Sequence, residues 1–228
     1  MAAPSVIALL PMRHSSERVP GKNYRPLAGK PLYQHVLESL LACPEITQVV
    51  VDTDSPVILE GLEQGYPQVA RLLRPESLRD GLIPMNDILL HDTAQVPGDF
   101  YLQTHSTNPL LRAATISRAI QTFLEQRAEY DSLFSVTRLH TRLYDEAGNA
   151  VNHNPAELLR TQDLPPIYEE NSCIYIFTRE NLVRRNHRLG ERPLMFEIPR
   201  EEAVDIDEEM DFKVAEYMML ERMKSENQ

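Results

Sequence analysis

The sequence predicts an α/β fold: a mostly parallel sheet with helices on both faces. Two observations carry this. Short apolar runs rich in β-branched or aromatic residues alternate with stretches whose apolar residues recur at helical spacing. Such alternation joins parallel strands by crossover helices, which then cover both sides of the sheet. At 228 residues, 42% of them hydrophobic, the chain can also bury one substantial core, so residues 1–228 read as a single domain.

The strand candidates run in order from Val6–Leu10 and Gln48–Asp52 through "DFYLQT" (Asp99–Thr104) to Ser132–Val136 and Cys173–Phe177. "LMFEI" and "AVDID" (Ala203–Asp207) follow as late candidates. Between them, Leu32, Val36, Leu37, Leu40 and Leu41 share one helical face, and Ile116, Ala119, Ile120, Phe123 and Leu124 another. The tail from Glu208 reads as a helix with Phe212, Ala215, Met219 and Met223 on one side and "YMMLERM" facing the core. Residues 137–166 break the rhythm with turn-rich "EAGN" and "NHNP", and read as an arm inserted in the domain. There is no repeat and no low-complexity tract.

The net charge of −11 excludes nucleic acid as a general partner, since polyanion binding needs a wide basic surface. Cys43 and Cys173 lie far apart without CxxC spacing, which suits free thiols in a reducing cytoplasm. The opening "MAAPSVIALLPMR" has no basic n-region or cleavage signature and is too short to span a bilayer. A cytoplasmic protein with no membrane partner is expected.

Against this acidic background, "PMRHSSERVPGKN" (residues 11–23) concentrates Arg13, Arg18 and Lys22 around Ser15 and Ser16. In parallel sheets ligands bind beyond the carboxyl ends of strands, and this loop follows one. Arg13 can grip phosphate oxygens in bidentate fashion, Lys22 supplies a mobile charge, and the serines and backbone amides add neutral donors. Pro20 and Gly21 shape the turn that returns Lys22 to an anion. Neither GxxxxGK[ST] nor GxGxxG is present, so on spacing alone a solvated surface loop is the competing reading.

The loop, followed by "RPLAGKPLYQHVLESLL", resembles the signature of the cytidylyltransferases that activate acidic sugars: the CMP-sialic acid (acylneuraminate) synthetases and their relatives for 3-deoxy-manno-octulosonate. The matching positions are Arg13, Ser16, Pro20, Lys22, Asn23 and Leu27 through Leu32. "DTD" (Asp52–Asp54), "RPESL" (Arg74–Leu78), "LQTHSTNPLLR" (Leu102–Arg112), "ENSCIYIF" (Glu170–Phe177) and "VDIDEEMDFKVAE" (Val204–Glu216) continue the likeness in order. His14 and Ser15 stand where glycines are common, Glu17 where Lys is frequent, and the Gln-Gly-Asp-Glu-Pro of the octulosonate enzymes is absent. The chain lies nearer the sialic acid branch.

The resemblance implies a Rossmann-like fold of the nucleotide-diphospho-sugar transferase type. It implies a reaction in which CTP joins the anomeric hydroxyl of a sialic-acid-like 2-keto sugar and releases pyrophosphate. An octulosonate-type enzyme and a non-catalytic sugar-nucleotide binding protein are the alternatives. Arg13, Ser16, Lys22, Asn23 and Arg74 are implied at the nucleotide, Gln103 and Tyr175 at the sugar, and Asp205 and Asp207 at Mg2+, with Arg13, Lys22 and Asp207 carrying catalysis. If "VDID" is a strand, the two aspartates share a face roughly 6.5–7 Å apart at Cα. Several residues have plainer readings: Asp207 and Asp54 as helix N-caps, Gln103 as a polar strand end, Tyr175 as buried filler, and His105 as a structural histidine. The resemblance also implies a homodimer built through residues 137–166, in which Arg138, Arg142 or Arg160 meets the sugar carboxylate across the interface.

Overall fold

The computed structural model describes residues 3–226. Seven strands form one sheet in the order β5-β4-β1-β6-β8-β7-β9. They are β1 (Val6–Met12), β4 (Gln48–Thr53), β5 (Ala70–Leu73), β6 (Phe100–Gln103), β7 (Ser132–Leu139), β8 (Ile167–Phe177) and β9 (Pro193–Glu197). Two two-residue strands, β2 (Pro26–Leu27) and β3 (Lys30–Pro31), pair separately around a turn in which Ala28 and Gly29 both take positive φ. β5, β4, β1 and β6 run parallel, β8 is antiparallel to β6 and β7, and β7 is parallel to β9. The expected mostly parallel α/β sheet is present.

All seven residues of β1 are buried, so its pattern is continuous rather than alternating, as a strand covered on both faces requires. Val6, Ala8 and Leu10 face α1 (Leu32–Leu41), α2 (Pro56–Gly65) and α4 (Ala113–Gln126); Ile7 and Leu9 face α3 (Met85–Gln95) and α5 (Arg179–Arg185). Each fully buried Leu or Ile here contributes about 1.5–3 kcal/mol over an exposed one. The last helix, α6 (Glu209–Glu226), packs Phe212, Ala215 and Met219 onto Val19, Leu27, Leu32 and Ile206, clamping the loop that follows β1. Met219 alone of "YMMLERM" is fully buried; Tyr217, Leu220 and Met223 are exposed, so the core-facing expectation for that stretch holds only in part.

Two further expectations change. Ala203–Asp207 does not join the sheet, although its alternation is strand-like. The segment crosses the strand ends instead, held by Ile206 N–H donating to Thr107 O at 3.0 Å. Ile206 stays buried while Asp205 faces solvent, so an extended alternation survives without a ladder. In addition, β7 runs on through Leu139 and pairs with the start of β8, so the chain leaves the sheet only over residues 140–166. Among the described residues, no helix is long and apolar enough to cross a membrane, and both cysteines are buried and free.

Candidate active site

The chain leaves β1 toward β4 on one side and later returns to β6 on the other, which opens a crevice at their carboxyl ends. A cavity of about 710 Å³ lies there, lined by Arg13, Ser15, Ser16, Arg18, Lys22, Asn23, Arg74, the Asp80–Ile83 loop and His105. The loop's shape has local causes. Gly21 takes φ 66°, and a Cβ there would lie 2.9 Å from the Tyr24 ring, so only glycine fits the turn that presents Lys22. Asn23 Nδ2 donates to Arg13 O (2.7 Å) and Ser106 Oγ donates to Asn23 Oδ1 (2.8 Å), tying the loop to the end of β6. His14 N–H donates to Asp54 Oδ1 at 2.7 Å, and Ser55, not Asp54, caps α2 through Ile58 N–H. Arg13 rests on Gly81, where an added Cβ would come within 2.5 Å of its Nη1.

Lys22 is buried, and its ammonium donates to the carbonyl of Ile206. Burial pulls its pKa below the usual lysine range, opposed by the charges of Asp205 and Asp207. Asp207 Oδ1 accepts from Arg18 at 2.7 Å, in a pair exposed on both sides. Its carboxylate caps no helix amide; Asp211 Oδ2 instead accepts from the N–H groups of Asp207 (3.0 Å) and Glu208 (2.8 Å). Asp211 therefore does the capping that the sequence offered to Asp207. Although Asp205 is open as a residue, desolvation of its carboxyl, aided by the charge of Asp207, holds it above the usual carboxylate range, against the Thr107 hydrogen bond and Lys22.

Gln103 and Tyr175 are register partners on β6 and β8, and both are buried beneath the cavity rather than lining it. Tyr175 O–H bonds to Glu170 and to Ser172 Oγ, and its ring is covered by the Arg188 guanidinium at 3.4 Å. Arg188 Nη1 donates to Gln103 Oε1 at 2.6 Å. Because arginine can only donate, this fixes the Gln103 amide, whose Nε2 then faces Thr104 O and His105 Nε2, each at 3.0 Å. His105 Nε2 must be the acceptor, which leaves its proton on Nδ1. Burial first, then the charges of Arg188 and Lys22, push its pKa down to about 4, so the imidazole is neutral near pH 7. Sequence reasoning set His105 aside as structural and missed Arg188; nothing in "RRNHRLG" distinguishes one arginine from its neighbours.

Arg74 is a wall of the cavity rather than an open cation. It is 1% exposed, with Nε donating to Asp52 Oδ2 at 3.0 Å. Asp92 lies behind this pair, and burial together with the Asp52 charge pushes it up to about 8. One oxygen of each aspartate, Asp52 Oδ1 and Asp92 Oδ2, has no other partner, and a proton on Asp92 shared with Asp52 satisfies both. The folded state thus keeps a proton that the unfolded chain releases near pH 4, so stability falls as pH rises from about 4 to about 8. Thermal melts across pH 5–8 are expected to show a shallower decline for Asp92→Asn than for wild type. Parallel curves would rule out the shared proton.

A mostly parallel α/β sheet with a cationic cavity at its switch point is an arrangement suited to an anionic ligand such as a nucleotide. Residues 7–223 match the family model described as cytidylyltransferase. The chain belongs to the cytidylyltransferase family, a class of nucleotidyltransferase enzymes, with relatives that act on sialic-acid-like sugars. It is 30% identical over 230 residues to a CMP-N,N'-diacetyllegionaminic acid synthase of Legionella pneumophila, covering 94% of this chain and 96% of that one. It is 28% identical to N-acylneuraminate cytidylyltransferase A of Danio rerio, covering 94% of this chain but only 51% of the relative. Among solved structures, a CMP:2-keto-3-deoxy-manno-octonic acid synthetase complexed with CTP superposes with TM-score 0.71 at 17% identity, over 96% of this chain and 99% of that one; this likeness is one of fold.

Proposed function

We propose that the protein couples CTP to the anomeric hydroxyl of a sialic-acid-like 2-keto sugar, giving the CMP-sugar and pyrophosphate. The observation that carries this is the cavity itself. A chain of net charge −11 gathers Arg13, Arg18 and Lys22 at the end of β1, in a cytidylyltransferase scaffold. Arg13 and Lys22 hold and neutralise the triphosphate, Ser15 and Ser16 add donors, and Asn23 keeps the loop in place. The sugar oxygen attacks the α-phosphorus in line, so no protein nucleophile is needed and catalysis rests on positioning and charge. Asp205 and Asp207 fit a Mg2+ ion by the chemistry of their donors, two carboxylates close enough for the charge of Asp207 to act on Asp205. A site of two carboxylates leaves coordination positions for phosphate oxygens, which is how Mg2+ is commonly bound, and the ion when bound neutralises phosphate charge. Pyrophosphate release should appear with CTP and Mg2+, in preference to ATP, GTP or UTP. The acceptor panel comprises an N-acylneuraminate, N,N'-diacetyllegionaminic acid and 2-keto-3-deoxy-manno-octonic acid. Preference for the last would favour the octulosonate reading, and binding without turnover the non-catalytic one.

We further infer a homodimer through residues 140–166. This segment projects Leu158 at 94% exposure, with Tyr144, Val151 and Leu159 also exposed, and a surface of that kind is one that association covers. Light scattering should give twice the chain mass at assay concentration; a fully active monomer would overturn this. Arg160 is already paired by Asp163 through two bonds, of 2.7 and 3.1 Å.

A further inference from the structure

The geometry points to Arg188, rather than an arginine of the 140–166 segment, as the residue that receives the carboxylate of the acceptor sugar. This rests on the function proposed above. Arg188 is half-buried, and burial depresses its pKa, so its charge has lost much of its water. Yet it makes no ion pair among the described residues. Its neighbours within bonding reach are the neutral Gln103 Oε1 and the face of Tyr175. Arg74, which is fully buried, is by contrast matched by Asp52, as burial of a charge ordinarily demands. The carboxylate of Glu170 acts on Arg188 only from a distance, and its Oε1 already accepts from Tyr175 O–H. A guanidinium with five donors, bonded among the described residues only to the neutral Gln103 amide and to Tyr175, has a fork to offer an anion.

Its place suits the acceptor. Arg188 is one amide away from the cavity wall: Gln103 Oε1 accepts from it at 2.6 Å, Gln103 Nε2 lies 3.0 Å from His105 Nε2, and His105 lines the cavity. Lys22 belongs to the triphosphate loop. In-line displacement sets the attacking oxygen opposite the leaving pyrophosphate, on the side away from that loop. In a 2-keto sugar acid the carboxyl carbon is bonded to the carbon bearing that oxygen, so its binding group must lie close by. His105, with its proton on Nδ1, is a further neutral donor at the cavity wall. The segment carrying Arg188 is also anchored in advance: Gly190 N–H donates to Ser132 Oγ (2.8 Å), and the N–H groups of Glu191 and Arg192 donate to Asp131 (2.9 and 3.0 Å). Such pre-anchoring reduces the ordering that binding would otherwise require.

The test compares the best acidic sugar of the panel with its carboxamide, in wild type, Arg188→Met and Arg188→Lys. Wild type is expected to prefer the acid by about 10–100-fold in kcat/KM, the range for one charged hydrogen-bonded contact. In Arg188→Met the KM for the acid should rise by a similar factor, the KM for CTP should change less than about twofold, and the preference for acid over amide should vanish. Arg188→Lys keeps the charge but not the fork, and should retain an intermediate preference; it also serves if Arg188→Met fails to fold. A purely structural arginine would lower acid and amide turnover together. Arg188 variants that keep the full acid preference would overturn the assignment while leaving the proposed function intact. A wild type that releases no pyrophosphate with CTP and any acidic sugar would remove the proposed function and this assignment with it.

Discussion

Lys22→Ala is expected to lower turnover with CTP by about 10²–10³-fold, the usual loss for one preorganised charge-stabilising contact. The reason is positional. Gly21 turns the chain so that Lys22 points inward, and its ammonium lies between the end of β1 and the Asp205–Asp207 segment. Because the same ammonium donates to Ile206 O, its removal also leaves a buried carbonyl short of a partner. That costs about 1 kcal/mol, a fall of about 2–4 °C in melting temperature for a chain of this size. The rate loss should therefore far exceed anything attributable to stability, and saturating sugar should not restore it. Steady-state kinetics with a paired thermal melt decides the matter. Near-normal turnover would make the loop a solvated surface feature, with Lys22 serving only to pin residues 203–207.

The parts of this site legible in the sequence were those set by neighbours along the chain. The strand into β1, the irregular loop, the Gly21 turn and the amphipathic face of α1 are local patterns, and the structure carries each of them in place. Cationic residues crowded after a buried strand are likewise a local pattern, which is why the loop could be singled out before any contact across the fold was known. The unread parts depend on contacts across the fold. Arg74 looked like an open cation because Asp52, more than twenty positions away, gave no sign of being its partner. Val204–Asp207 looked like a strand because alternation is a local property, whereas a free sheet edge is not. Arg188 is brought to Gln103 by the antiparallel placement of β8 beside β6 and by the path of the chain after α5, neither of which leaves a local mark.

Asp207→Asn is expected to fold like wild type and to lose at least about a hundredfold in rate. The structure separates the two roles that the sequence left joined. Capping of α6 falls to Asp211, which accepts from two main-chain N–H groups, while the Asp207 carboxylate pairs with Arg18, a residue of the cavity lining. Asparagine keeps an oxygen for Arg18, and an exposed ion pair contributes at most about 1 kcal/mol, so the melting temperature should move by no more than about 2–4 °C. The rate should suffer because a neutral amide is a poor substitute for an anionic oxygen before a hard cation. Raised Mg2+, or Mn2+, which binds nitrogen and oxygen donors somewhat more tightly, should restore part of it. Asp211→Ala supplies the contrast: it should lose about 1 kcal/mol of stability through the helix terminus while keeping the Mg2+ dependence of wild type. Asp205→Asn should resemble Asp207→Asn with a milder loss. If Asp207→Asn instead keeps the wild-type rate and Mg2+ dependence, this pair is not the metal site. The carboxylates left near the cavity would then be Glu17 and Asp80, both on its lining, and the same titration repeated on their amides would decide between them.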